Sequence, residues 1–457
     1  MLEALGNVFR VPELKKKIIV TVVLLLIYRL GYHIPVPGVN YEVVRHAGRS
    51  VYGALGDLVG VFNTISGGNW SECALFSLGI MPYISASIIF SLLVKVVPAL
   101  EKLSKEGATG TRKINQYTRY LTVPICMVQS FFVIRGVMAA QYDGQYVVDP
   151  ELYNTFWFQF VAMTALTGGA IFLMWLGEQI TEYGIGNGVS LLIMSGIVAR
   201  IPEDIIAFIM NLGNESERLS NAFVLVALFV GVVIGVVYIT KGQRRIPIQQ
   251  QKLTRGTRVY GGSRHYLPFR VNASGVMPII FAQALLVFPP LLFEWIGKLT
   301  PQGGVVNRIF TELGSAFSAS SLGFAYLLFY VGMIYFFSFF WTALMFQPTE
   351  IANNMKEYGS FIPGIRPGTK TAQYLEKVTV RVTLIGSSFL AMIALFPQIV
   401  ASAMIETQSH FILFLGGTTI LIVVGVALDL VDKVNSYLLM RDYEGFIRKG
   451  RGRSVHS

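Results

Sequence analysis

Gly79-Ile80-Met81-Pro82-Tyr83-Ile84 returns later in the chain as Gly275-Val276-Met277-Pro278-Ile279-Ile280. Both copies read G-[IV]-M-P-x-I and both lie inside long apolar segments. Proline within a helix removes a backbone donor and collides with the preceding turn, so each copy predicts a kink or a helix start at membrane depth. Apolar segments do match by chance over six residues, but a second echo argues against that here. Gly188-Val189-Ser190-Leu191-Leu192-Ile193 and Gly417-Thr418-Thr419-Ile420-Leu421-Ile422 both fit G-x-[ST]-[LI]-L-I.

Composition sets the environment. Of 457 residues, 53% are hydrophobic and only 14% charged, which predicts a polytopic membrane protein. Ten apolar stretches are candidate helical spans: 18–34, 74–97, 118–140, 154–176, 187–202, 221–240, 272–297, 322–346, 380–400 and 411–432. Lys15, Lys16 and Lys17 precede the first, and no small-residue cleavage site follows it, so it is expected to be retained. The fifth is short and the second is rich in Ser, Gly and Pro, so both are expected to face protein or a cavity. The first echo links spans two and seven, and the second links five and ten.

The chain therefore reads as an all-α membrane protein of two five-span halves, 1–206 and 207–440, followed by a tail, 441–457. Five is odd, so the second half inserts in the opposite orientation. Inverted repeats of this kind place their functional site between the halves near the midplane.

Charge gives the orientation. Segments on the side of the amino terminus hold 29 of the 37 Lys and Arg, and acidic residues divide evenly, leaving +16 on that side and −5 on the other. The positive-inside rule then puts both termini in the cytoplasm.

Three cytoplasmic segments stand out, the last being the carboxy-terminal tail, which is mixed in charge and reads as solvated. The segment 241–271 carries Lys241, Arg244, Arg245, Lys252, Arg255, Arg258, Arg264 and Arg270 and no acidic residue. A topology signal needs only a few charges, so this one also fits an acidic protein or a nucleic-acid phosphate backbone. The segment 347–381 contains Phe361-Ile362-Pro363-Gly364-Ile365-Arg366-Pro367-Gly368, where the prolines and glycines predict a tight turn with Arg366 at its tip. A displayed arginine suits bidentate contact with carboxylate or phosphate.

On the outer side, residues 55–66 repeat apolar positions at helical spacing but are too short to span. They read either as an interfacial helix or as a helix tucked back beside Gly79–Ile84.

Transporters and proton relays place ionisable residues at membrane depth, and these spans avoid them: Arg29, Arg135, Glu178, Glu182, Glu294 and Asp429 all fall near span ends. The echoed motifs instead share isoleucine, at Ile80, Ile84, Ile193, Ile280 and Ile422. One such residue reads as helix packing. As a set at equivalent points of two halves they also fit a constriction that excludes ions by dewetting. No protease, P-loop or paired intramembrane carboxylate motif is present, and the five histidines are scattered, so neither an enzyme nor a cofactor or metal site is expected. Cys73 and Cys126 make no ligand spacing. Gly184-Ile185-Gly186-Asn187-Gly188 reads as a flexible, tight connection between spans four and five.

These residues resemble the SecY family of protein-conducting channel subunits. The resemblance rests on Gly79 through Ile88, Met174 through Glu182, Gly184 through Gly188, Gly242 through Ile246 and Pro363 through Gly368, and it runs along essentially the whole chain. It implies ten transmembrane helices around a central hourglass pore in the bacterial inner membrane. The pore passes unfolded secretory chains and releases transmembrane segments sideways.

By position, the resemblance implies a pore ring of Ile80, Ile84, Ile193, Ile280 and Ile422 and a plug helix holding Asp57, Leu58, Val59, Val61, Phe62 and Ile65. A lateral gate between spans two and seven would include Ser85 and Phe288. Arg366, with Arg244, Arg245, Arg255 and Arg258, would dock the SecA motor ATPase or the ribosome and its RNA phosphates. Thr257 departs from the family, many of whose members carry a second consecutive arginine there, so the loop arginines follow less directly than Arg366. Further implied partners are SecE-like and SecG-like small subunits, signal peptides, nascent chains and membrane lipid. The rival readings are a secondary transporter for a small apolar substrate and an insertase or scaffold without a through-pore.

Overall fold

A computed structural model describes residues 11–40, 42–44, 73–138, 141–142, 145–211, 215–251, 253–255, 258–260, 264–286, 288–299, 304–317, 323–404 and 417–453. Contacts divide the chain into two compact units, Met1–Glu203 with Val426–Ser457, and Asp204–Gly425.

The first unit holds α1 (Pro12–Gly31), α2 (Met81–Val96), α3 (Pro98–Lys105), α4 (Ala108–Val133) with a π-helical turn at Ile134–Met138, the hairpin β1 (Gln141–Tyr142) and β2 (Gln145–Tyr146), α5 (Pro150–Tyr153), α6 (Phe156–Tyr183) and most of α7 (Gly188–Asn211). In the second are α8 (Glu215–Lys241), β3 (Gln243–Gln250), β4 (Leu253–Arg255), β5 (Arg258–Tyr260), β6 (Arg264–Arg270), α9 (Met277–Leu286), α10 (Phe288–Leu299), α11 (Val305–Ala316), α12 (Phe324–Met345), α13 (Pro348–Glu357), β7 (Ser360–Phe361) and α14 (Thr369–Met404). The last helix, α15 (Gly417–Arg453), begins in the second unit and ends in the first. Its end groups there because Leu430, Val434 and Leu438 pack with buried Leu14 and Ile185, and Lys17 Nζ donates to Tyr437 Oη at 2.8 Å. The expected halves, 1–206 and 207–440, do not contain this long-range return.

Every apolar span read from the sequence overlaps a helix, and the seventh overlaps two, α9 and α10. By length and apolarity, three helical stretches among the described residues can cross a bilayer: Phe156–Tyr183, Phe324–Glu357 and Thr369–Pro397. A fourth arises if α2 and α3, bent by 99° at Val97, act as one. Pro98 explains the bend: it biases Val97 to extended backbone (ψ 112°) and then starts α3 at its first position. Shorter apolar stretches lie at Gly188–Pro202 and Val226–Lys241.

The exposed side of these helices is apolar. Ile19, Leu26 and Leu30 of α1, Phe156, Trp157, Phe160 and Trp175 of α6, and Phe324, Leu328, Phe336 and Met345 of α12 are all exposed. Water would penalise that much contiguous apolar surface, and lipid does not.

Each unit also has an ordinary packed interior. In the first, Cys73, Leu78, Cys126, Val133, Phe158 and Leu166 bring α4 and α6 together with the segment leading into α2. In the second, Val236, Ile279, Tyr330, Ile334, Leu390, Ala394 and Ile420 join α8, α9, α12, α14 and the start of α15.

The repeated motifs are built the same way in both units. Gly79 (φ +59°) and Gly275 (φ +64°) take left-handed backbone, and a helix starts two residues later at Met81 or Met277. The proline of each motif is thus the second helical residue, where its missing N–H has no partner to lose. The motif starts a helix and does not kink one. Gly188 and Gly417 are in turn the first residues of α7 and α15. A Cβ at Gly188 would fall on the Gly177 carbonyl oxygen of α6, and one at Gly417 on the Ile393 carbonyl oxygen of α14. Earlier in the same two helices, Gly169 abuts the Leu75 carbonyl and Gly386 the Val271 carbonyl. Leu75 and Val271 stand at equivalent distances before Gly79 and Gly275, so the correspondence extends beyond the echoed residues.

The segment 241–271 is not simply a loop. β3 pairs antiparallel with β6 from Gln243↔Arg270 to Gln249↔Arg264, and β3 also pairs with β7 through Gln249↔Phe361 and Gln250↔Ser360. This small three-stranded sheet sits within an otherwise helical fold, with Ile246 and Ile248 on one face of β3 and paired in register with Leu267 and His265.

Candidate functional site

The five ring candidates are all buried: Ile80 is 2% exposed, Ile84, Ile193 and Ile280 are each 8%, and Ile422 is 6%. Ile80, Ile84 and Ile193 belong to the first unit, Ile280 and Ile422 to the second. Ile84 donates its backbone N–H to the Ile80 carbonyl at 3.1 Å, and Ile280 donates to Val276 at 3.3 Å, so each closes the first turn of its helix. The Ile80 side chain packs against Gly177 of α6, within 3.5 Å of where a Cβ would stand. Gly177 thereby lets Ile80 and Leu192 approach α6 closely.

The connection carrying Gly184–Gly188 is held by side-chain hydrogen bonds from α1, α6 and its own Asn187. Thr21 Oγ1 of α1 donates to the Lys17 carbonyl at 2.9 Å and accepts from Ile185 N at 3.1 Å. Thr181 Oγ1 donates to the Gly177 carbonyl and accepts from Gly188 N, both at 2.8 Å. Asn187 Oδ1 accepts from Ser190 N at 3.2 Å, the N-cap contact that opens α7. Ile193, on α7, is positioned by this turn.

Ser85 is half-buried on α2, and Phe288 is the first residue of α10. The expected seventh span is thus two consecutive helices, and Pro289 and Pro290 fall in the first turn of the second, where proline is tolerated. The expected plug residues Asp57, Leu58, Val59, Val61, Phe62 and Ile65 lie outside the described residues. Before and after them the chain pairs with itself: Val36 N donates to the Cys73 carbonyl at 2.9 Å and Leu75 N to the Ile34 carbonyl at 2.8 Å.

Four of the docking arginines lie on strands of the 241–271 segment, on β3, β4 and β5. Arg244 and Arg245 are exposed on β3, and Arg255 and Arg258 are register partners where β4 and β5 pair. Residues directly paired across strands share a face, so Arg245, Pro268, Pro247, Tyr266, Gln249 and Arg264 lie on one side of the β3–β6 ribbon. The other side carries Ile246 and Phe269, which are buried against Met355 of α13 and Leu375, Val378 and Val382 of α14.

Arg366 is exposed, but it is not at a turn tip. The tip is Pro363-Gly364: Ile365 N donates to the Ile362 carbonyl at 3.1 Å, and Gly364 has φ +84°, as a type II turn with proline then glycine requires. Arg366 follows that turn and precedes a second glycine with positive φ, Gly368 (+97°). Its carbonyl accepts from Thr371 Oγ1 at 2.9 Å. Sequence reasoning did not single out Thr371 or Gly359, and gave Ile362 no role within the turn motif, because a threonine at a helix start and an isoleucine beside a turn carry no distinctive pattern.

Residues 74–431 match the SecY family model. The chain belongs to the SecY family. It is similar to the protein translocase subunit SecY of Streptomyces galbus, 40% identical over 454 residues covering 98% of this chain and 100% of that protein. The corresponding subunit of Thermotoga maritima is 39% identical over 453 residues, covering 99% of each. Among solved structures, a protein conducting channel shares the fold with TM-score 0.58 at 18% identity over 92% of both chains. A SecY protein whose plug domain stabilises the closed state of its translocation channel aligns with TM-score 0.56 at the same identity. The matched region of this SecY-family chain holds all five ring candidates, Ser85, Phe288 and every docking arginine. It is a multi-pass membrane protein with the fold of the translocation channels.

Proposed function

We propose that the chain is the central subunit of a bacterial protein translocase, a channel that passes unfolded secretory chains across the membrane. The observation that carries this reading is the twice-built motif in a SecY-family chain: Ile84 and Ile280 close equivalent first turns after equivalent left-handed glycines. Two such points, one from each half, supply the parts of a ring that Ile80, Ile193 and Ile422 complete.

The physics fits. A translocating chain exposes backbone groups that lipid cannot satisfy, so it needs a wet path. Branched aliphatic side chains at the narrowest point exclude ions by dewetting when no chain is present. An apolar signal helix partitions sideways into lipid, through a gate at spans two and seven that includes Ser85 and Phe288. The ten apolar stretches serve as spans, the charge asymmetry puts both termini in the cytoplasm, and the segment 55–66 serves as the plug.

The channel hydrolyses nothing itself. Energy comes from a SecA-type ATPase or a ribosome docked at Arg366, with Arg244, Arg245, Arg255 and Arg258 contributing. A SecE-like subunit clamps the halves and a SecG-like one lies at the periphery. The halves are 1–206 and 207–440, with a solvated tail, 441–457.

The test is reconstitution. Vesicles carrying this chain with the two small subunits, given SecA and ATP, are expected to protect a secretory precursor from added protease. Saturable uptake of a small molecule, with no precursor protected, would favour a transporter instead.

A further inference from the structure

We infer that Arg366 acts from a rigid platform shared with the basic ribbon, and that Thr371, Gly359 and Ile362 are the residues that position it. The inference rests on the docking role proposed above and goes further, because it says how the contact is held in place.

Four observations converge. First, β7 adds to the sheet edge at β3, so the strand entering the Arg366 turn is hydrogen-bonded to the strand carrying Arg244 and Arg245. Second, Gly359, just before that strand, has φ +62°, and its carbonyl accepts from Gln251 N at 2.9 Å, extending the pairing past the last strand residue. Third, Ile362 is 4% exposed and Ile365 packs beside it, in the same core that holds Ile246 and Phe269 under the ribbon. Fourth, Thr371 is 1% exposed, and its hydroxyl holds the Arg366 carbonyl itself.

An arginine on a loose turn would lose backbone and side-chain freedom on each docking event. Here the backbone on both sides of Arg366 is already fixed: by the Ile362–Ile365 turn before it and by the Thr371 hydroxyl and the Ala372 N to Gly368 carbonyl bond (3.0 Å) after it. Preorganisation lowers the ordering cost of binding. The sheet also ties the strand entering the Arg366 turn to the ribbon that carries Arg245, Arg264 and Tyr266, so a docked motor would meet both together.

The experiment varies Thr371 in the full translocase complex. Thr371→Val keeps the shape and removes the donor, whereas Thr371→Ser keeps the donor. In vesicles titrated with SecA, Thr371→Val is expected to raise the SecA concentration giving half-maximal translocation by about fivefold, the loss of one hydrogen bond. The maximal rate should not change, and Thr371→Ser should restore the wild-type value. Gly359→Ala, which strains the left-handed backbone, should shift the same midpoint and serves if Thr371→Val does not accumulate.

Wild-type midpoints in Thr371→Val and Gly359→Ala, with Arg366→Glu blocking translocation, would overturn the platform and leave the docking role standing. A lowered maximal rate without rescue by serine would also overturn it, since that is what a merely structural residue does. Normal translocation by Arg366→Glu would overturn the docking role itself.

Discussion

One added methyl group at Gly417 or Gly188 is expected to destabilise the protein, although alanine is the better helix former. At Gly417 the new Cβ would fall on the Ile393 carbonyl oxygen, with Ile393 Cγ2 only 2.8 Å away. At Gly188 it would fall on the Gly177 carbonyl oxygen, with Ile180 Cβ at 2.9 Å. Neither obstacle can rotate aside, because each is the backbone of a long helix, α14 or α6. Overpacking of this kind costs about 1–3 kcal/mol. The opposing gain from replacing glycine by alanine is at most about 1 kcal/mol, and less at a helix's first residue. The steric effect therefore wins, by about 1–2 kcal/mol. Gly231 in α8 and Gly332 in α12 are the controls, since a Cβ at either meets nothing within 4 Å. Their alanine variants are expected to be neutral or stabilised by up to about 1 kcal/mol. The assay is thermal unfolding of the four variants of the purified complex in one detergent. If Gly188→Ala and Gly417→Ala melt with Gly231→Ala and Gly332→Ala, the close packing of α7 on α6 and of α15 on α14 is wrong.

Three further outcomes are expected. Thr21→Val removes the acceptor for Ile185 N and a donor to Lys17, costing about 1–2 kcal/mol, while Thr21→Ser stays near wild type; chemical denaturation measures the difference. Arg366→Glu leaves the subunit inserted but stops motor-driven translocation, read as protease-protected precursor; secretion at the wild-type rate would remove Arg366 from the docking role. Ile84→Asn and Ile280→Asn loosen the resting seal and raise ion conductance in planar bilayers, and unchanged conductance would remove both from the ring.

The membrane class and the repeat were legible because they depend on many residues at once: apolar runs, charge asymmetry and two motif pairs. What the motifs do locally was only half legible. Pro82 is compatible with a kink or a helix start, and the choice rests on Gly79 taking positive φ, which composition does not reveal. The ribbon was hidden by its own charge. Eight basic residues made 241–271 read as a loop, although Ile246 and Ile248, and Leu267 and Phe269, recur at the two-residue spacing of strands; Pro247 and Pro268 between them masked the signal. The pairing of β7 with β3 had no readable signal, since two residues, Ser360 and Phe361, carry no periodicity. The return of α15 to Leu14 and Ile185 is a tertiary choice made far from either residue in sequence.

The central claim, that the echoed isoleucines line the path of a secreted chain, is tested most directly by photocrosslinking. A photoreactive residue is placed at Ile84 or Ile280, and at exposed Leu328 of α12 as the lipid-side control. A secretory chain is then stalled midway through the reconstituted channel. Adducts to the stalled chain from Ile84 and Ile280, and none from Leu328, are the expected result. A chain that stalls and crosslinks to neither isoleucine would contradict the account.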